Sequence, residues 1–97
     1  MYKFNIFFTT KTAKENGRKF NSYFTTSTND GKSMSVKFTK EVVPPEKPVC
    51  LFVSTANARI SSKNGYDTLI ISGYEKADAI EDSRLQKYFT EVDNERD

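Results

Sequence analysis

Between residues 2 and 9 the chain alternates. Tyr2, Phe4, Ile6 and Phe8 stand at one parity, and Lys3, Asn5, Phe7 and Thr9 at the other. Successive side chains of a β-strand point to opposite faces, so a period of two specifies a strand with one buried face. The pattern recurs twice. In Lys19–Thr26, Phe20, Ser22 and Phe24 share one parity, and Lys19, Asn21, Tyr23 and Thr25 share the other. In Ser33–Thr39, Met34, Val36 and Phe38 read as inward, and Ser33, Ser35, Lys37 and Thr39 as outward. Turn chemistry separates the three runs. Asn16-Gly17 punctuates a polar loop from Thr10 to Arg18, and Asn29-Asp30-Gly31-Lys32 reads as a tight hairpin turn, because Asp-Gly supplies positive φ readily.

The rest of the chain is less regular. Lys40 to Pro48 carries Pro44, Pro45 and Pro48, which deny it a long helix or a central strand. A fourth strand is predicted from Val49 to about Thr55. A polar loop follows, Ala56 to Gly65, closed by Asn64-Gly65. A fifth strand is predicted from Tyr66 to about Tyr74, built on Leu69, Ile70 and Ile71. Asp78 with Glu81 resembles a helix N-cap box, and Leu85, Phe89 and Val92 lie on one helical face, which predicts a short helix over about 78–90. Asp93 to Asp97 read as disordered.

The expected architecture is therefore all-β: a small five-stranded antiparallel barrel with a short C-terminal helix or acidic tail. The expected core is Phe4, Phe8, Phe20, Phe24, Val36 and Phe38. At 97 residues the chain fits one domain, with the barrel in 1–76 and the tail in 77–97. Eight Phe and five Tyr supply most of the large apolar surface, since Trp is absent. Such residues pack well on a pleated sheet.

Charge divides the chain at the same point. Residues 1–76 hold 12 Lys/Arg against 6 Asp/Glu, and residues 77–97 hold 3 against 7. A basic body suits a polyanion, and the acidic tail suits a shield over it or a protein partner. Enzyme chemistry finds little to work with. Histidine is absent, which removes the commonest general base and metal ligand. The single cysteine, Cys50, lies in the apolar run Val49–Val53 and reads as a small buried hydrophobe. One Cys and no His close no zinc site, and no glycine-rich phosphate loop occurs, so no metal or cofactor is implied. No secretory leader or membrane-spanning run is evident, so a cytoplasmic location is expected.

The outward faces carry the constructive signal. Lys3, Asn5, Phe7 and Lys11 belong to the first strand and its end, Lys19, Asn21 and Tyr23 to the second, and Lys37 to the third. Lys14 and Arg18 add to the patch from the first loop, and Lys32 from the hairpin turn. Lysines neutralise phosphates, and flat rings stack on bases irrespective of sequence. Together they make a surface for single-stranded nucleic acid. In this reading Phe7 and Tyr23 are the stacking platforms, and Lys3, Lys19, Lys32 and Lys37 the phosphate contacts.

Five strands, a basic first loop and an aromatic–lysine sheet face resemble the OB-fold. Asn16 through Phe24, continuing through Asp30-Gly31-Lys32 to Val36-Lys37-Phe38, is similar to small single-stranded-DNA-binding proteins of phages and mobile elements in low-GC bacteria. The resemblance covers roughly residues 2–74. It implies a Greek-key barrel that binds single-stranded DNA through strands 2 and 3 and the flanking loops, with Lys19, Tyr23, Lys32 and Lys37 as contacts, in replication or recombination. RNA is an open alternative to DNA, and a homodimer is an open assembly. The alternative function is a protein–protein module, such as a phage-encoded inhibitor of a host enzyme, with Phe7 and Tyr23 as interface anchors.

Overall fold

The computed structural model describes residues 1–89. The three period-two runs become β1 (Tyr2–Thr12), β2 (Lys19–Thr26) and β3 (Ser33–Phe38). Four further strands follow: β4 (Val49–Val53), β5 (Ala58–Lys63), β6 (Tyr66–Ile71) and β7 (Lys76–Asp78). They form one sheet in the order β5-β6-β3-β2-β1-β4-β7. The expected mostly-β class stands. The expected closed, five-stranded, wholly antiparallel barrel does not: seven strands form an open sheet, and β3 and β6 run parallel.

Both differences have physical causes. The predicted polar loop 56–65 contains β5, which has one side of its backbone paired to β6 and is exposed along nearly all its length. An edge strand of this kind needs no apolar alternation, so Arg59, Ser61 and Lys63 gave no strand signal. Its register comes from the turn, where Asn64 and Gly65 have φ of 54° and 80° and Lys63 faces Tyr66. The β3–β6 pair is parallel because the chain leaves β3 through the proline segment. It builds β4 beside β1 and returns along the β5–β6 hairpin to the free edge of β3.

The sheet is rolled. β4 and β5 are separated only by Ser54–Asn57, yet they lie five places apart in the sheet. Four linking residues reach roughly 17 Å at most, whereas five strand spacings in a flat sheet measure about 24 Å. The sheet must curl until these two strands approach. A short 3-10 turn, Thr55–Asn57, makes the link, and the Asn57 carbonyl accepts from the Ser72 N–H at 2.9 Å. Gly73 allows that approach, since a Cβ there would stand 3.2 Å from Asn57 Nδ2.

β1 divides its length between two partners. Residues 2–6 pair with β4, and residues 6–12 with β2. Inside the roll lie Ile6, Val36, Val49, Leu51, Val53, Leu69 and Ile71, with Phe4, Tyr23, Met34 and Phe38 packed against them. Outside it lies a second cluster. Phe7 and Leu85 are buried there, and Phe24, Ile80, Tyr88 and Phe89 pack around them. Residues 79–89 are thus a strap across the outer face of β1 and β2.

The strap departs from its sequence reading. Asp78 is no N-cap but the last residue of β7, ion-paired to Lys76 at 3.0 Å. The cap is Asp82, which accepts from the Arg84 N–H at 3.0 Å at the head of the 3-10 turn Ser83–Leu85, and residues 86–89 continue as helix. The boundary drawn at 76/77 falls inside β7. Val92 and the predicted disorder of 93–97 lie outside the described residues.

Candidate nucleic-acid interface

Which face of β2 looks outward is set by its register with β1. Phe8 stands opposite Tyr23, and Phe7 opposite Phe24. Phe8 is fully buried, and its ring lies 5.5 Å from that of Tyr23, which in turn meets Phe38 edge-on at 5.1 Å. Tyr23 therefore belongs to the inner face, which corrects its expected outward parity, although it is half-buried and also lines the groove that holds Phe20 and Lys37. Sequence alone assigned β2 the opposite phase, because Phe20 and Phe24 share a parity. The adjacent aromatics Tyr23-Phe24 fit either phase, and pairing with β1 decides between them.

Phe7 is corrected as well. It is on the outer face, as its parity predicts, but it is fully buried. Its ring stacks on Phe24 at 5.6 Å and meets Tyr88 at 5.4 Å and Phe89 at 5.5 Å. Phe24, expected in the core, lies under the strap. Phe20, also expected in the core, is 49% exposed.

With the phase reversed, Lys19 and Asn21 share a face with Tyr23. They remain exposed because this end of β2 overhangs the core. Asn21 is held there by accepting from Thr10 Oγ1 at 2.9 Å. Lys19 thus lies on the other face from Lys37, while Asn21 and Tyr23 still line one groove with Lys37 and Phe20.

One group gathers on the outer face beyond the strap. Phe20 faces Lys11 across the β1–β2 ladder and lines a groove with Ser22, Ser35, Lys37 and Pro44, which Asn21, Tyr23 and Phe38 also border. Lys14 and Arg18 stand in the adjoining loop, which the Ala13 N–H closes by donating to the Arg18 carbonyl at 2.8 Å. A second group, Lys3 and Lys32, lies at the opposite end of the sheet and borders a separate opening. Lys3 also stands 5.5 Å from the Phe52 ring, which Lys76 approaches from 5.6 Å.

The residues that sequence reasoning missed are exposed aromatics. Phe20 had the wrong phase. Tyr66, 78% exposed beside Lys63, opens the strand predicted on Leu69, Ile70 and Ile71, a run that does not mark it as a surface ring. Its position next to Asn64-Gly65 was the available signal, since a strand residue at a hairpin turn overhangs the core.

The basic residues make no close ion pair among the described residues, though the Lys32 charge acts on nearby Asp30. Among the described residues the ion pairs are Lys76–Asp78 and Arg84–Asp82, and none involves Lys3, Lys11, Lys14, Arg18, Lys19, Lys32 or Lys37. Among those residues no three His, Cys, Asp or Glu side chains gather as a metal site would require. Burial pushes the Cys50 thiol up, away from the thiolate that nucleophilic chemistry needs. No described helix is long and apolar enough to cross a membrane. Comparison with protein-family models, with curated proteins and with solved structures finds no match.

Proposed function

We propose that this chain binds single-stranded nucleic acid on the outer face of β2 and β3, as a binder rather than a catalyst. The observation that carries the reading is Phe20. It is a half-exposed ring on a polar sheet face, with Lys11 opposite it and Lys37 in the same groove, and neither lysine has a carboxylate partner among the described residues. A large apolar side chain left in water beside unpaired cations suits a polyanion with flat faces. Phe20 takes over the role first given to Tyr23 and Phe7. Lys11, Lys14, Arg18 and Lys37 are the phosphate contacts around it, and Lys19 approaches from the strand end. The rolled, partly open sheet suits an OB-like scaffold. Single-stranded DNA in replication or recombination is the favoured ligand.

Fluorescence titration with labelled dT and rU oligomers at two salt concentrations tests this. Phe20→Ala should cost about 1–3 kcal/mol of binding with every base composition, while its unfolding midpoint stays near that of the parent chain. Lys37→Ala should flatten the salt slope by up to about one unit. Unchanged affinity in a folded Phe20→Ala variant overturns the reading. One observation favours a protein-binding module instead: Val43 is 77% exposed, and its neighbour Pro44 lines the Phe20 groove. An interface of that kind would respond weakly to salt, where phosphate binding responds steeply.

A further inference from the structure

A wide opening lies where β1 parts from β2. Their ladder begins at Ile6 and Thr25, and below it residues 2–5 of β1 pair with β4 alone. β2 runs only to Thr26 before the chain turns over 27–32. An opening of about 970 Å³ is left between this stretch of β1, the turn and the start of β6.

We propose that this opening takes one unstacked nucleotide of a single strand, with its base against Phe4 and Met34 and its flanking phosphates at Lys3 and Lys32. The inference rests on the function proposed above and adds a second subsite to it. Four features support it. Phe4 and Met34 pack against the core and also line the opening, so they offer an apolar surface to a ring. Thr26 and Ser33, whose hydroxyls bond each other at 3.2 Å, and Thr68 line it with hydroxyls that keep further accepting capacity for the edge of a base. In an antiparallel strand, alternate residues direct both N–H and C=O to the same side. Alternate residues of 2–5 therefore turn these groups away from β4 and into the opening.

The fourth feature is charge. Asp30 accepts from the Lys32 N–H at 3.0 Å, and Asp67 accepts from Ser62 Oγ. Both carboxylates of the lining are thus engaged locally; neither forms a close ion pair with Lys3 or Lys32, although the Lys32 charge acts on Asp30 and a bound phosphate would compete with it. Ser35 lines both this opening and the Phe20 groove, so a strand can pass from one to the other along the outer face of β3. Tyr66 stands at the rim as a stacking surface for a neighbouring base. An added peptide strand is a poorer occupant. The free edge of β1 is only four residues long, and it is closed in by the 27–32 turn and by Gly65.

Amide chemical-shift titration of the full chain with the four deoxynucleoside monophosphates, and separately with inorganic phosphate, tests the inference. Nucleotides should shift the amides of Phe4, Thr26, Ser33, Met34 and Thr68, with a preference among the four bases. Lys32→Ala should weaken this binding about threefold, while Phe20→Ala should leave it unchanged. If inorganic phosphate reproduces the shifts, the opening is an anion site and the inference falls. It also falls if nucleotide shifts gather only around Phe20 and Lys37. The two proposals fail distinguishably. Oligomer binding that depends on Phe20 while the opening stays silent removes only the inference. A nucleotide in the opening of a chain that binds no oligomer removes the proposed function and, with it, the strand subsite, leaving a mononucleotide site.

Discussion

The two faces of the β1–β2 pair carry the same kind of side chain and bury it by different means. On the inner face, buried Phe8 meets Tyr23, which in turn packs against Phe38 and the core that the rolled sheet encloses. On the outer face, Phe7 and Phe24 stack at 5.6 Å and are covered by Leu85, Tyr88 and Phe89. The inner cluster draws on β1, β2, β3, β4 and β6. The outer one depends on a strap that arrives after the sheet is complete. Aromatic residues adjacent in sequence, Phe7-Phe8 and Tyr23-Phe24, therefore mark strands buried on both faces. On β2 the ring left exposed is Phe20, near the start of the strand.

The largest effect should come from the inner face. Phe8→Ala should cost about 3–5 kcal/mol of unfolding free energy, read by denaturant titration. Leu85→Ala should cost less, about 2–3 kcal/mol, and hydrogen exchange should localise its effect to the strap and to the amides around Phe7 and Phe24. If that variant loosens the β3–β6 ladder equally, the two clusters are one cooperative unit and the contrast between them dissolves.

A smaller effect concerns the strap's charge. Residues 77–97 carry a −4 balance against +6 in the body, and Glu81 and Asp82 border a groove that also includes Lys3. Replacing Glu81, Glu91, Asp93 and Glu95 by their amides should tighten single-strand binding at low salt. The gain should vanish near physiological salt, where exposed charges are screened over about 8 Å. Deleting 77–97 is a poor substitute, because it removes Leu85 and most of β7 as well. Equal affinity for the amide variant and the parent at low salt would leave the strap a purely structural cover.

The smallest effect is on acid stability. The Arg84 guanidinium, together with the Arg84 N–H, holds the Asp82 carboxyl below the usual carboxylate range. The Lys32 N–H does the same for Asp30, with help from Ser27. A carboxyl depressed in the folded state stabilises the fold above its unfolded pKa, and that contribution is lost as pH falls through the depressed value. Asp82→Asn keeps an oxygen to cap the turn but loses the charge. It should flatten the acid limb of the stability curve below about pH 4 and lower stability slightly at neutral pH. An unchanged acid limb would show that the Asp82–Arg84 pair contributes nothing in solution.

What the sequence determined by itself was local. Period two set β1, β2 and β3, with β2 at its observed bounds. Asn-Gly and Asp-Gly set the turns, and the prolines kept residues 40–48 out of regular structure. Each of these signals is written in neighbouring residues, through side-chain alternation or a required φ. Phe4, Phe8, Val36 and Phe38 were legible as inward for the same reason, as was the outward placement of Lys3, Lys11 and Lys37. Tertiary structure decided whatever depends on a distant partner. The phase of Tyr23 and Phe24 was fixed by Phe8 and Phe7, a strand away. β5 became a strand because β6 offered an edge, although its own residues bury little. Phe7 lost its exposure to Leu85, 78 positions further along the chain. Parity assigns a residue to a face, but only the packed fold determines what covers that face. For this reason the candidate site moved from Phe7 and Tyr23 to Phe20.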